Sequence, residues 1–128
     1  GVHSSPGQDD GRGLTPRQSD ETLLGLLDQC DADLICVGHT HWPMNRHVGA
    51  YHVVNLGSVS NPVTPDLKAS YVLLHATSSG YTIEHRRVAY DREAVIDVVR
   101  RVRHPAGEYI INIMLGKIVR HHWGEPAV

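Results

Sequence analysis

Four consecutive apolar residues, Leu34 to Val37, run directly into Gly38-His39-Thr40-His41. An apolar run this short, closed by glycine, suits a strand buried on both faces of an α/β sheet. Open α/β sheets bind ligands just past the carboxyl ends of such strands, because the strand ends hold the loop roots and the loop supplies the reactive groups. The pattern thus constrains the architecture and also the place where chemistry can occur.

The flanking sequence supports the same class. Residues 4–18 contain three glycines, two prolines and almost no apolar side chain, the composition of a solvent-borne loop with no means of burying itself. Ser19 precedes Asp20 and Glu21 as an N-cap with acids at the favourable end of the helix dipole. Leu23, Leu26, Leu27 and Cys30 then follow the helical period, predicting about three turns. Arg46 to Val48 and Tyr51 to Asn55 flank Gly49-Ala50 as a hairpin. Ala69 to His75 and Tyr81 to Val88 flank Thr77 to Gly80 as a second, with Thr82 and Glu84 on a wet face. Asp91 caps a further helix, in which Val95, Val98, Val99 and Val102 form the apolar stripe and which Pro105 ends. Residues 108–119 read as a final helix, and the tail from Arg120 shows no pattern.

The 128 residues are 41% hydrophobic and 20% charged, enough for one domain with one core. The 14 acidic and 12 basic side chains give a net charge of −2 without a polybasic stripe, so no nucleic-acid surface and no anionic membrane surface is indicated. No stretch approaches the roughly 20 apolar residues of a membrane span. Cys30 and Cys36 match neither a disulfide framework nor a zinc knuckle and read as small hydrophobes, so a reducing, cytoplasmic compartment is expected.

Ten histidines raise the question of metal. His75 and His85 fall in strands, His47 and His52 in a hairpin, His104 at a helix carboxyl end, and His121 and His122 in the tail. None of these settings implies ligation. His39 and His41 are different: in extended chain an i, i+2 pair faces one way with Cα atoms about 6.6 Å apart. Two such imidazoles can reach one ion, or two ions spaced about 3.5–4 Å as in dinuclear hydrolytic centres.

Val37-Gly38-His39-Thr40-His41, with Val54-Asn55-Leu56-Gly57-Ser58-Val59 downstream, resembles the closing half of the calcineurin-like metallophosphoesterases. The similarity is closest to their small bacterial and archaeal branch. There a Val-His-Gly-Ser-Pro-like segment precedes the Gly-His-Thr-His loop, and here Val2-His3-Ser4-Ser5-Pro6 stands in that place, with Ser4 where the branch has glycine. The resemblance implies an α/β fold, part of a β-sandwich flanked by helices. Residues 1–128 would form the carboxy-terminal portion of a single phosphoesterase domain whose amino-terminal half is absent.

It further implies that His3 and His39 bind the second of two divalent ions (Mn, Fe, Zn or Ni), and that His41 binds the first. The intact protein would hydrolyse phosphomonoesters or phosphodiesters. The family's Asp-x-His pair, bridging aspartate and Asn-His pair do not occur in this chain. The expected partner is therefore the other half of the domain, and the chain alone is expected to be inactive, with no catalytic residue of its own.

Asn55 and Ser58 are expected to hydrogen-bond substrate phosphate or a ligand histidine, the competing reading being a turn in which Asn55 caps a strand. The Gly7 to Gly13 segment reads as a disordered connection more than as a cover for substrate. Trp42 reads as packing under the metal loop more than as stacking on substrate. Exposed sheet edges would favour association, including a homo-oligomer. From a different functional class, the same fold could serve as a non-catalytic protein-interaction scaffold.

Overall fold

The computed structural model of the chain describes residues 1–117. Its elements run α1 (Asp20–Leu27), β1 (Leu34–Val37), β2 (Met44–Val48), β3 (Tyr51–Asn55), β4 (Ala69–Thr77), β5 (Gly80–Val88), α2 (Arg92–Arg101) and α3 (Gly107–Met114). This is a mixed α/β architecture, as expected. The expected end of the final helix at residues 118 and 119 and the tail from Arg120, including His121 and His122, lie outside the described residues.

β1, β3 and β2 form a three-stranded sheet in that order. β1 pairs parallel with β3, Val37 opposite Asn55, and β2 pairs antiparallel with β3 through the Gly49-Ala50 turn. Because side chains alternate across a strand, Ile35, Val37, Met44, Val48 and Val53 share one face. They pack with Leu23 and Leu27 of α1 and with Leu14 into the main core. Leu34, Cys36, Asn45, His47, His52 and Val54 occupy the opposite face. β4 and β5 form a separate antiparallel ribbon that meets this second face: the Tyr81 hydroxyl lies 2.9 Å from His52 Nδ1, and His85 Nε2 lies 2.9 Å from the Asn55 carbonyl oxygen. Thr82 and Glu84 point away from it, so the expected wet face exists.

Ser19 caps α1 through the Thr22 amide. The helix stops at Leu27, short of Cys30, because Asp28 follows and no basic residue occupies the last turn to complement the dipole. Residues 4–18 are not solvent-borne throughout: Ser4, Ser5, Leu14 and Thr15 are buried, Leu14 completely. One leucine side chain and the carbonyl groups around it supply the burial that the composition did not predict.

In α2, capped by Asp91 as expected, the apolar stripe is rotated. Ile96 and Val99 are buried, while Val98 and Val102 are 45% and 59% exposed. The reason is the partner: Ile96 joins Ile113 and Met114 of α3 in a small second core edged by Val95, Ile110 and Ile111. α3 ends at Met114, before the expected residue 119, where Gly116 at φ 68° closes the carboxyl end. Cys30 and Cys36 are free thiols. Among the described residues no helix is long and apolar enough to cross a membrane.

Candidate metal centre

β1 delivers Gly38 to the sheet's carboxyl edge, and the loop beyond it does not stay extended. His39 and His41 both adopt left-handed backbone conformations, φ 56° and 63°. For residues other than glycine such geometry costs on the order of 1–3 kcal/mol and persists only where surroundings impose it. Here the imposing residue is Thr40 between them. It is buried, its Oγ1 donates to the Leu14 carbonyl at 3.0 Å, and its amide donates to the Gly38 carbonyl at 2.6 Å. Drawing Thr40 inward turns the two histidines outward, so the extended-chain spacing expected for His39 and His41 is replaced by a tight turn.

Asn55, at the end of β3 and 0% exposed, completes this arrangement. Its Nδ2 lies 2.9 Å from the Gly38 carbonyl, 2.8 Å from Thr40 Oγ1 and 3.1 Å from the Leu14 carbonyl. Its Oδ1 accepts from the Gly57 amide at 3.0 Å. One side chain thus ties together β1, the histidine loop, the incoming strap and the next turn. Ser58 is half-buried, its Oγ accepts from the Asn61 amide at 3.0 Å, and its carbonyl accepts from Ser70.

The strap formed by residues 11–18 lies against the same loop. At Gly13, with φ 68°, an added Cβ would stand 2.7 Å from Thr40 Cγ2 and 3.1 Å from His39 Cδ2, so only glycine combines this backbone with this approach. Sequence reasoning missed Gly13, Leu14 and Thr40 as parts of the site. The one signal was a glycine-rich run containing a single leucine.

His3 reaches the loop through backbone pairing beside β1: Val2 donates to Cys36 and His3 accepts from Gly38, both at 3.0 Å. Its Nε2 then lies 3.0 Å from His39 Nδ1, with the rings edge to face. Two imidazole nitrogens bound to one ion at about 2.0–2.1 Å stand roughly 3.0–3.4 Å apart, so the pair fits a shared divalent ion as well as it fits a direct hydrogen bond. His41 is half-buried on the same loop. Among the described residues no three histidine, cysteine, aspartate or glutamate side chains converge on one point. The structure brings His3 and His39 together and keeps His41 on their loop.

The remaining histidines have other surroundings. His47 and His52 stack on the second sheet face with centroids 4.0 Å apart. His52 Nε2 donates to Asn45 Oδ1 at 2.6 Å, so its Nδ1 accepts from the Tyr81 hydroxyl. Burial and the neighbouring His47 push the His52 pKa below the ordinary histidine value. His104 Nδ1 accepts from the Ala106 amide.

Comparison with known proteins agrees with this fold. A hypothetical protein from Pyrococcus horikoshii OT3 superimposes with a TM-score of 0.75 at 23% identity, over 88% of this chain and 44% of that one. A metallophosphoesterase from Sphaerobacter thermophilus superimposes with a TM-score of 0.70 at 20% identity, over 91% of this chain and 55% of that one. The chain therefore spans about half the length of the solved structures it matches. No curated protein matches its sequence. The sequence model of the calcineurin-like phosphoesterase superfamily domain matches residues 3–79, from His3 through the histidine loop and Asn55, and the chain belongs to that superfamily.

Proposed function

We infer that this chain is the carboxy-terminal portion of a phosphoesterase domain that hydrolyses phosphomonoesters or phosphodiesters with two divalent ions, and that it supplies three histidine ligands. The 3.0 Å approach of His3 Nε2 to His39 Nδ1, across a loop held in left-handed conformations, carries this reading. In it His3 and His39 hold one ion, His41 holds its companion, and the other half of the domain provides the carboxylates that a cationic pair requires. Bound ions of this kind polarise phosphoryl oxygens and make water acidic enough to attack near neutral pH.

The roles of the chain's own residues follow from their contacts. His3 and His39 present ring nitrogens at a ligating separation. Thr40 and Asn55 act as positioning residues, since their hydrogen bonds set the loop that carries His39 and His41. With Asn55 enclosed and its amide directed at the loop, substrate phosphate is left to Ser58 and the ions. Manganese, iron, zinc and nickel all accept imidazole with oxygen ligands.

Manganese titration followed by aryl-phosphoester assays on this chain, and on a version extended at its amino terminus, tests the reading. Weak binding without turnover is expected for the chain, and manganese-dependent hydrolysis for the extended protein. An extended protein that binds manganese yet hydrolyses neither phosphomonoester nor phosphodiester would remove the enzyme assignment.

A further inference from the structure

The strap does more than cover the histidine loop. Pro16 and Arg17 occupy the centre of a turn closed on both sides. The Gln18 amide donates to the Thr15 carbonyl at 3.4 Å, and Thr15 donates to Gln18 Oε1 at 2.7 Å. Gln18 Nε2 donates to the Gly13 carbonyl at 3.2 Å, and Arg46 Nη1 donates to the Gln18 carbonyl at 2.9 Å. The strap is thus clamped at Gly13 against His39 and Thr40, and at Gln18 against β2.

Arg17, between the clamps, places its guanidinium carbon 5.1 Å from the centroid of the Trp42 ring, inside the range of a cation–π contact. Trp42 directly follows His41. Three residues of chain bound its Cα to within about 11 Å of the His39 Cα. Arg46 takes Asp20, the nearest carboxylate along the chain after Arg17. Among the described residues no carboxylate forms an ion pair with Arg17. Among the same residues Arg12, the other exposed arginine of the strap, forms no ion pair either, so the contact with Trp42 is what distinguishes Arg17. A guanidinium that is exposed, seated over an aromatic ring and without an ion pair among the described residues is suited to bind an anionic oxygen pair from solvent.

We propose that Arg17, seated on Trp42, binds a second, non-reacting phosphate of the phosphate-ester substrate. The proposal rests on the phosphoesterase reading of the histidine loop. Arg17 is a specificity residue in this scheme: it distinguishes a substrate with two phosphates from one with a single phosphate.

Nuclear magnetic resonance titrations of the 128-residue chain test it in two parts. In metal-free protein, inorganic pyrophosphate is expected to shift the Arg17 Nε–H and Trp42 indole resonances, and Arg17→Gln to abolish the indole shift. No shift in the wild-type chain, or an unchanged indole shift in the variant, overturns the site. With zinc present, Arg17→Gln is expected to weaken pyrophosphate about ten-fold and orthophosphate less than two-fold. Equal losses for the two anions overturn the assignment of a second phosphate. The ring resonances of His3 and His39 report separately on zinc. If zinc leaves them unmoved, the metal reading fails while the metal-free titration still decides the role of Arg17. If zinc moves them and Arg17→Gln has no effect, the proposal about Arg17 alone is lost.

Discussion

The His39 Nδ1 atom stands 3.0 Å from the Nε2 atom of His3, a residue 36 positions earlier in the chain. The contact depends on the loop beyond β1 and on the pairing of Val2 and His3 beside that strand. Replacing either imidazole leaves a single nitrogen donor from this pair. His3→Ala and His39→Ala are each expected to weaken manganese or zinc binding at least ten-fold, with the far-ultraviolet circular dichroism unchanged because both side chains lie outside the cores. Equal metal affinity in wild type and either variant would disprove the shared-ion assignment.

Asn55 offers a sharper separation between fold and site. Asn55→Ala deprives the Gly38 and Leu14 carbonyls and Thr40 Oγ1 of a buried donor. A loss of about 2–4 kcal/mol is expected in urea unfolding, accompanied by weaker metal binding as the histidine loop relaxes. Asn55→Asp should be worse, because a carboxylate there faces three oxygen atoms in a fully buried position. A variant with normal stability and normal metal affinity would show that Asn55 does not position the loop.

Gly13→Ala examines the strap. The added methyl meets Thr40 and His39 at a backbone angle that disfavours alanine. A destabilisation of about 1–3 kcal/mol is expected, with shifted His39 and Thr40 resonances. Gly7→Ala, where an added Cβ meets nothing within 4 Å, should show only the backbone penalty of about 1 kcal/mol and leave those resonances in place. Identical behaviour of the two variants would mean that the strap does not touch the loop in solution.

His52 gives the expected pH dependence. The residue is 8% exposed and links β3 to β5 through Tyr81, and burial first, then His47, lowers its pKa from 6.5. The unfolded chain therefore takes up this proton at a higher pH than the folded chain. Stability from this group is full above about pH 6.5 and falls as the pH drops from there toward the lower folded value. His47, Tyr81, Asn45 and the Asp33 carbonyl are the polar groups around it. Urea midpoints between pH 5 and 8 should decline on the acid side, and His52→Gln should flatten that decline. A variant as acid-sensitive as wild type would place the dependence elsewhere.

The ribbon of β4 and β5 leaves Leu74 51% exposed, on the face that Tyr81 and His85 turn toward the first sheet. Uncovered apolar surface of this kind favours association. Sedimentation velocity is expected to show self-association that grows with concentration, and Leu74→Lys should reduce it. A monomer at all concentrations would mean that this face remains solvated.

Local patterning determined most of the elements. The apolar run Leu34 to Val37, the caps Ser19 and Asp91, and the Gly49-Ala50 turn each express a short-range preference of backbone or side chain, and all appear where the sequence places them. His39 and His41 were legible as candidate ligands for the same reason, since they directly follow an apolar strand. The tertiary structure decided what the loop does with them. Thr40 is drawn in by Leu14 and Asn55, from 26 and 15 residues away, and its neighbours on either side take up left-handed conformations. Burial of Leu14, the close approach at Gly13, the rotation of α2 toward Ile96 and the seating of Arg17 on Trp42 likewise depend on partners distant in sequence. A periodic pattern records which side of an element is apolar, whereas the identity of the surface that meets it is set only when the whole chain packs.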